Sequence, residues 1–346
     1  MKFITRTKLL AAATVSALAL AALPGSANAG AVLTSSNGLV RIGLQDTGEI
    51  NYTGIGIGYN FSGQGGLNGF RDALSPGCEC EAWGVSANGL GGQVGQSTGN
   101  QFIGFTSTES APGSFTSNTY LNRTGLTGLT ISHSVTEAAS TSTGALFGMT
   151  VTLTNGTGAD LSNVRYARAM DWDVPPTEFA ERVTHVGTGT TSTLIRSTND
   201  GFANANPETA RFNSGIYAGP GSGPVVNTDF SAAGPADHGS LFVFEFGTLL
   251  ADESYTFNIF YGAGVNKADA LSLLSLVSPE LYSLGQSSGS TSDTYPTFVF
   301  AFSGVGGDVV VPPPPPPPTG VPEPAALALF GLGLAGLGLM RRRKTV

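Results

Sequence analysis

The densest group of acidic side chains in this sequence surrounds a tryptophan. Asp171 and Asp173 flank Trp172, and Glu178 and Glu181 follow shortly afterwards. Carboxylate oxygens two positions apart on a turn, with a third from the next loop, form a ligand set that Ca²⁺ accepts. The sequence has no glycine-containing twelve-residue loop of EF-hand type. We identify Asp171, Asp173 and Glu178 as a candidate calcium site, with Glu181 as the alternative third ligand, and Asp46-Thr47-Gly48-Glu49 is a second, poorer candidate. The alternative is a strand end with solvated acids and a buried Trp172.

Two carboxylates beside an aromatic side chain are also typical of a glycosidase. Such an enzyme needs its two acids about 5 to 9.5 Å apart in a cleft lined by sugar-stacking aromatics. Trp83 is the only other tryptophan, and His133, His185 and His238 form no HExxH motif. No GxSxG motif is present either. The sequence therefore predicts a protein that is not an enzyme, with a polysaccharide-binding module or a glycan-active enzyme as the alternative. It predicts no cofactor besides the candidate calcium.

Cys78 and Cys80 are the two cysteines of the chain. In an oxidising compartment they can form a disulfide, although one intervening residue makes a small, strained ring. No further cysteine or adjacent histidine completes a zinc site. We expect a local disulfide beside Trp83, and intermolecular disulfides and a redox or metal role are the alternatives.

The elements that would position these groups are strands. Charged residues make up 12% of the chain, about half the usual share, and there are 49 glycines. This composition suits turns and strands better than solvated helices. Apolar residues recur with the period of a half-buried strand. The clearest inward-facing sets are Phe147, Met149, Val151 and Leu153, and Phe298, Phe300 and Phe302. The sequence therefore predicts an all-β fold, a large β-sandwich with one short helix.

Turn residues predict how these strands pair. Asn155-Gly156 indicates a turn that joins the strand at Phe147 to a partner beginning at Val164. The segments 241–246 and 255–261 predict a second antiparallel pair. The short helix would begin at the cap Asn266, with its acidic N3 residue Asp269, and would end before Ser278-Pro279.

The N-terminal segment 1–29 has the three parts of a secretory signal peptide. A basic start is followed by an apolar stretch and by small residues before a cleavage site. Ala27 and Ala29 occupy the −3 and −1 positions that signal peptidase reads. We predict cleavage after Ala29, so that Gly30 becomes the first residue of the exported protein.

The C-terminal end also has three parts. The motif Pro322-Glu323-Pro324 precedes an uncharged apolar run over 325–340, and the basic residues Arg341, Arg342, Arg343 and Lys344 follow. As a helix the run is about 24 Å long, slightly short of a ~30 Å hydrocarbon core. The basic cluster would hold the C-terminus in the cytoplasm. We predict a transmembrane helix here, after a proline-rich linker over 307–321.

This order of a Pro-Glu-Pro motif, a Gly- and Leu-rich span and a terminal Arg cluster resembles the PEP-CTERM sorting signal of Gram-negative bacteria. The resemblance implies processing by exosortase, a membrane cysteine protease that acts near Pro322, Glu323 and Pro324. It also implies delivery to the cell surface or to the extracellular matrix of bacteria that make biofilm, floc or exopolysaccharide. The segments 164–185 and 282–305 resemble a body that recurs among surface proteins with this tail.

The middle of the chain is strongly acidic. Between Gly30 and Pro322 there are nine basic and 23 acidic residues, a net charge of −14. Such a surface repels nucleic acid and anionic lipid, so nucleic-acid binding is excluded.

These features predict four parts: a signal peptide over 1–29, one extracellular β-sandwich domain over 30–306, a linker over 307–321 and a sorting signal over 322–346. We expect an exported protein, structural or adhesive in a biofilm, floc or exopolysaccharide matrix. Its expected partners are signal peptidase, exosortase, the inner membrane transiently, and extracellular polysaccharide.

Overall fold

The chain folds into antiparallel sheets with one helix on the outside. The structure, a computed structural model, describes residues 30–78, 81–95, 101–210, 213–289 and 294–310. Over these residues it contains 18 strands and one α-helix. The predicted predominance of β-structure is therefore confirmed.

The first sheet has four strands in the order β1-β2-β3-β4. They are β1 (Ala31–Thr34), β2 (Val40–Leu44), β3 (Ile57–Asn60) and β4 (Phe70–Asp72). The second sheet has five strands in the order β13-β15-β11-β5-β6. They are β5 (Glu81–Ala87), β6 (Leu90–Gly95), β11 (Arg165–Trp172), β13 (Leu194–Thr198) and β15 (His238–Glu245).

The third sheet has nine strands in the order β14-β12-β17-β18-β16-β10-β9-β8-β7. They are β7 (Ile103–Ala111), β8 (Ser114–Leu121), β9 (Leu129–Ser140), β10 (Gly144–Asn155), β12 (Glu181–Val186), β14 (Phe230–Ala236), β16 (Ser254–Gly264), β17 (Leu281–Ser287) and β18 (Thr297–Ser303).

Aromatic side chains join the five-stranded sheet to the nine-stranded sheet. The ring centroids of Tyr166 and Phe257 are 5.1 Å apart, and Phe244 lies 4.9 Å from Phe302. All four rings are buried in one core that also receives side chains from the four-stranded sheet. Full burial of each such side chain stabilises the fold by about 1.5–3 kcal/mol. The two larger sheets thus pack as the layers of a sandwich.

The predicted alternation along two strands is confirmed. In β10 the side chains of Phe147, Met149, Val151 and Leu153 are buried in the main core, and the residues between them are partly exposed. In β18 the three phenylalanines face the same core, while Val299 and Ala301 face the opposite side.

Both predicted strand pairings are wrong. The strand β10 pairs with β9 and β16, whereas β11 pairs with β5 and β15. The chain therefore does not turn back on itself at Asn155-Gly156. It crosses from the nine-stranded sheet to the five-stranded sheet between β10 and β11, and it crosses back between β15 and β16.

The predicted helix is confirmed as α1 (Lys267–Val277). The side chain of Asn266 accepts a hydrogen bond from the backbone N–H of Asp269, and the C-cap Ser278 is left-handed. Its buried residues are Ala270, Leu271, Leu273 and Leu274. This face packs on the outer face of the nine-stranded sheet, against Leu146 and Phe260.

Candidate functional site

Three aspartates come together where the five-stranded sheet meets the nine-stranded sheet. Asp171 is the penultimate residue of β11, Asp173 follows that strand, and Asp237 lies between β14 and β15. One carboxylate oxygen of each side chain lies within 4.8 Å of the other two. We call these three residues the aspartate cluster.

Strand register explains why aspartates far apart in the sequence are neighbours. Trp172 of β11 pairs with His238 of β15 in an antiparallel ladder, so the next residues outward, Asp173 and Asp237, stand opposite each other. Asp171 precedes Asp173 by two positions and therefore projects from the same face. Because β14 and β15 belong to different sheets, Asp237 lies on the crossover between them.

Two glycines hold the backbone at Asp171. A Cβ atom on Gly239 would lie 2.0 Å from the carbonyl oxygen of Met170 and 2.7 Å from the Cα of Asp171. A Cβ atom on Gly201 would lie 2.6 Å and 2.7 Å from the same two atoms. Three backbone segments therefore pack directly against one another. This packing fixes the position of the Asp171 Cα atom, from which the side chain extends.

Most oxygens of the aspartate cluster have no hydrogen-bond donor among the described residues. These buried atoms are both Oδ atoms of Asp173, Oδ1 of Asp171 and Oδ1 of Asp237. Asp171 is 2% exposed and Asp173 is 0% exposed. No ion pair between described residues involves the cluster. Since burying an ion without a partner costs several kcal/mol, the cluster requires protons or a cation.

Glu181, the first residue of β12, adds a fourth carboxylate beside the cluster. It is fully buried, and its Oε1 accepts a hydrogen bond of 2.7 Å from the backbone N–H of His238. Its Oε2 has no donor in the described part of the chain. Because His238 follows Asp237 in the sequence, this hydrogen bond holds the Glu181 carboxylate next to the crossover between β14 and β15.

Burial raises the pKa values of all these carboxyl groups, and repulsion between them adds to the shift at Asp171, Asp173 and Glu181. Desolvation, with repulsion by Asp173 and Asp237, raises the pKa of Asp171 well above its usual range. Desolvation raises the pKa of Asp173 to about 8 and that of Glu181 to about 9, and nearby Asp237 adds to both shifts. The groups therefore compete for protons at neutral pH, as expected for carboxylates without a counter-charge.

The structure combines the predicted Asp171 and Asp173 with Asp237 and not with Glu178. Glu178 lies in the loop after β11, outside the group whose oxygens converge, although its charge contributes to the raised pKa of Asp173. Sequence reasoning missed Asp237 because its position depends on the pairing of β11 with β15. No local pattern around Asp237 indicates that pairing.

Neither tryptophan lies on the surface. Trp172 is 0% exposed, and its indole N–H donates a hydrogen bond to Oγ of Ser283 at 3.1 Å. Trp83 is also 0% exposed and donates to the carbonyl oxygen of Thr47 at 2.9 Å. Trp172 therefore offers no surface on which a sugar ring could stack.

Cys78 lies at the edge of the aspartate cluster. It is disulfide-bonded, and its sulfur is 3.8 Å from Oδ2 of Asp171. Cys80, the other cysteine of the sequence, lies outside the described residues. Since Cys78 is not a free thiol, it offers no thiolate to a metal.

A second surface of interest is an uncharged area on the outer face of the nine-stranded sheet. Strands β8, β9, β10 and β16 pair in register there, and their outward side chains carry hydroxyl or amide groups. We call this area the hydroxyl face. Its residues are Thr116, Asn118, Thr130, Ser132, Ser134, Thr150, Thr152, Thr154, Ser254, Thr256 and Asn258.

Side-chain hydrogen bonds order the hydroxyl face. The hydroxyl groups of Thr152 and Thr256 are 3.1 Å apart, and those of Thr154 and Ser254 are 2.9 Å apart. A hydroxyl or amide side chain can both donate and accept, so these pairs keep capacity for a further partner. The face thus presents rows of polar groups at the spacing of neighbouring strands.

An aromatic pair and a groove adjoin the hydroxyl face. Phe105 of β7 is 60% exposed and stacks on Tyr120 of β8, with ring centroids 4.1 Å apart. Tyr120 pairs with Thr130 of the hydroxyl face. Phe105 also lines a groove of about 660 Å³ that contains Asp46 and Glu49. The aromatic pair and the hydroxyl groups share one surface. The loop with Asp46 contacts the buried side of β8, where Ser117 donates to the carbonyl oxygen of Asp46.

The predicted sorting residues lie outside the described residues. They are Ala27 and Ala29, the motif Pro322-Glu323-Pro324, and the basic residues Arg341, Arg342, Arg343 and Lys344. Within the described ranges, no helix combines the length and the apolar character needed to cross a membrane.

Comparison with known proteins identifies the tail. Residues 320–344 match the family model of the PEP-CTERM protein-sorting motif. No curated protein matches the chain. The family match confirms the resemblance drawn from the Pro-Glu-Pro motif and the terminal basic cluster. The chain therefore ends in the C-terminal tail of an exosortase substrate, a class of exported proteins.

Proposed function

We propose that this protein is a non-enzymatic, structural or adhesive component of the cell surface or of an extracellular polysaccharide matrix. The observation that carries the proposal is the sorting motif over 320–344, because it marks an exported protein processed by exosortase. The acidic middle of the chain disfavours nucleic acid and anionic lipid as partners.

The hydroxyl face supports polysaccharide as the partner. It offers ordered donors and acceptors without charge, and a sugar polymer is itself an array of hydroxyl groups. Phe105 and Tyr120 add exposed aromatic surface, on which the apolar C–H face of a sugar ring can stack. A few aromatic contacts usually dominate the free energy of such an interface, so this pair would anchor the chain.

A glycan-active enzyme is the second candidate, and the groove beside Phe105 favours it. Asp46 and Glu49 both line this groove. Burial raises the pKa of the Glu49 carboxyl group, and the charge of Asp46 adds to the shift. A glycosidase uses two carboxyl groups, one as general acid and one as nucleophile or base.

Sorting is tested in the native host. We expect the intact mass of the surface protein to lack residues 1–29 and the segment after the Pro-Glu-Pro motif, and to retain that segment in a strain without exosortase. Glu323→Ala should block processing, whereas Pro315→Ala in the neighbouring proline run should not. A surface protein that retains Arg341 to Val346 in the wild-type strain would contradict the proposal.

Polysaccharide binding is tested by co-sedimentation of the protein with exopolysaccharide purified from the host. Phe105→Ala should weaken binding about tenfold, the effect of losing about 1.4 kcal/mol from one aromatic anchor. Phe179→Ala is the matched control, because Phe179 is 50% exposed and lies outside the hydroxyl face. Equal losses in both variants would remove the hydroxyl face as the binding surface.

The enzyme candidate is tested with the same polysaccharide. Release of reducing ends by the wild-type protein, lost in Glu49→Gln, would favour a glycan-active enzyme over a structural protein. We expect no release from either.

A further inference from the structure

The aspartate cluster and Glu181 concentrate negative charge in the protein interior. Three carboxyl groups converge there, and that of Glu181 is held nearby through His238. Five oxygen atoms of these four groups are buried without a donor among the described residues. Protons shared between neighbouring carboxyl groups can neutralise part of this charge. A cation supplies positive charge and satisfies several oxygens at once.

The spacing of the oxygens fits one calcium ion. Ca²⁺ binds oxygen ligands at about 2.3–2.6 Å, so ligands on opposite sides of the ion are about 4.6–5.2 Å apart. One oxygen from each of Asp171, Asp173 and Asp237 already lies within 4.8 Å of the others. Small rotations of these side chains would bring all three oxygens within ligand distance of a single ion.

Glu181 is an independent indication of a ligand at this point. It is fully buried, yet only Oε1 is used, by the backbone N–H of His238. Its Oε2 is left without a donor among the described residues. The hydrogen bond from the backbone N–H of His238 to Oε1 holds this carboxylate near Asp237, the residue before His238. A side chain held by one oxygen and free at the other is positioned as an additional ligand.

The donor types select a hard cation. Every member of the converging group is a carboxylate, and no histidine or cysteine belongs to it among the described residues. Carboxylate oxygens suit Ca²⁺, Mg²⁺ or Mn²⁺, whereas zinc and copper sites use imidazole or thiolate ligands. Backbone-supported carboxylates from several elements match the flexible coordination of Ca²⁺ better than the strict octahedron of Mg²⁺.

We propose that Asp171, Asp173 and Asp237, with Glu181 as an additional ligand, form a calcium site that ties the two large sheets together. Asp171 and Asp173 belong to the end of β11 in the five-stranded sheet, Glu181 begins β12 in the nine-stranded sheet, and Asp237 lies on the crossover. A bound ion holds these elements to one another and stabilises the folded state over the unfolded state.

The test uses protein purified from its host and freed of cations with a chelator. Calcium chloride is titrated by calorimetry up to about 10 mM, since extracellular calcium modules bind with dissociation constants of about 10⁻⁴–10⁻³ M. We expect one binding event per chain and a rise in Tm of about 5 °C when calcium reaches 100 times the dissociation constant. Magnesium chloride should give a smaller shift.

Asp173→Asn is the decisive variant. It should weaken calcium binding at least tenfold without lowering the Tm of the cation-free protein, because the amide removes a buried repelling charge. Asp308→Asn is the matched control, since Asp308 is exposed and distant in sequence from the cluster. Terbium chloride gives a second readout, because Tb³⁺ bound next to Trp172 emits when tryptophan is excited, and this emission should be lost in Asp173→Asn.

Two results would overturn the calcium site. One is the absence of both heat and a Tm shift with calcium chloride up to 10 mM in the wild-type protein. The other is a calcium-dependent shift that Asp171→Asn and Asp173→Asn leave unchanged, which would place the ion elsewhere. Neither result bears on sorting or on the hydroxyl face.

Discussion

Arg168 and Glu81 form an ion pair between neighbouring strands in the interior of the β-sandwich, and neither side chain is exposed to solvent. Arg168 also donates hydrogen bonds of 3.0 Å to the carbonyl oxygen of Gly48 and to the hydroxyl of Tyr166. The second oxygen of Glu81 accepts from the backbone N–H of Ile50 at 3.0 Å. The pair thus links β5 and β11 to the loop after β2, with its hydrogen bonds satisfied by protein groups.

Removal of one partner of this pair should strongly destabilise the fold. Glu81→Gln leaves the Arg168 guanidinium buried without its counter-charge, and we expect a loss of about 3–5 kcal/mol in the free energy of unfolding. Urea denaturation measures the change. Glu245→Gln is the control, because Glu245 pairs with Arg165 in a partly exposed setting, where such pairs contribute less than about 1 kcal/mol.

A double variant separates the charge effect from loss of packing. Arg168→Met combined with Glu81→Gln removes both charges and keeps most of the volume. Its loss of stability should be smaller than the sum of the two single losses. Additive losses would mean that the two side chains act independently.

Local patterns predict the strands and the helix of this fold, because alternation and caps depend on residues near one another. The hairpins were mispredicted for a reason visible at Asn155. Its side-chain amide donates hydrogen bonds to the carbonyl oxygens of Ala159, Leu249 and Leu250. These hydrogen bonds hold two connecting segments next to each other: the segment between β10 and β11, and the segment between β15 and β16. Segments whose local pattern predicts a hairpin instead pair with strands of different sheets.

The same limit applies to the candidate calcium site. Asp171 and Asp173 are evident in the sequence because they flank Trp172. Asp237 becomes their neighbour only through the register of β11 with β15, which is a long-range pairing. The local sequence therefore predicts the fold class and the pair Asp171 and Asp173. The position of Asp237 follows only from the pairing of strands that are far apart in the sequence.

The calcium affinities of Asp237 and Glu178 variants distinguish the site proposed from the structure from the site predicted from the sequence. The structure predicts that Asp237→Asn weakens calcium binding about tenfold or more, because it removes a converging oxygen. Glu178→Gln should change the affinity less than about threefold, since it removes only a nearby charge. Calorimetric titration with calcium chloride measures both. A larger effect of Glu178→Gln would favour the site formed by Asp171, Asp173 and Glu178.

His185 gives the fold a specific dependence on pH. The imidazole is buried, its Nε2 lies 2.8 Å from Oγ of Ser240, and the rings of Phe230 and Phe242 pack beside it. Burial, with a smaller contribution from His238, lowers the pKa of His185 to about 3. In the unfolded chain the pKa is about 6.5.

The sign of the effect follows from these two pKa values. Above about pH 6.5 the imidazole is neutral in both states. Between about pH 6.5 and 3 the unfolded chain takes up a proton that the folded chain does not, so the free energy of unfolding falls as the pH falls. At pH 5 this loss is about 2 kcal/mol.

His185→Gln isolates this contribution, because the glutamine does not titrate. We expect the decrease in unfolding free energy between pH 7 and pH 5 to be about 2 kcal/mol smaller in the variant than in the wild-type protein. Urea denaturation at the two pH values measures it. The carboxyl groups and the other histidines titrate in both proteins and cancel in the comparison, so an equal decrease in both would show that His185 is protonated in the folded state.

Gly239 is required by the close approach of strands beside Asp171. In Gly239→Ala the new Cβ atom would lie 2.0 Å from the carbonyl oxygen of Met170, a backbone atom that cannot move without displacing β11. We expect a loss of at least about 2 kcal/mol in the free energy of unfolding. Gly189→Ala is the control, because no atom lies within 4 Å of the position of its Cβ, and it should change stability by less than about 0.5 kcal/mol.

The same variant also reports on the calcium site. Because β11 must shift to admit the methyl group, we expect the carboxylate of Asp171 to change its position relative to that of Asp237, which lies on another segment. Gly239→Ala should therefore weaken calcium binding even under conditions in which the protein remains folded, whereas Gly189→Ala should not. Near-ultraviolet circular dichroism confirms folding, and calorimetry gives the affinity. A folded Gly239→Ala protein with wild-type affinity would mean that the position of Asp171 does not depend on this backbone contact.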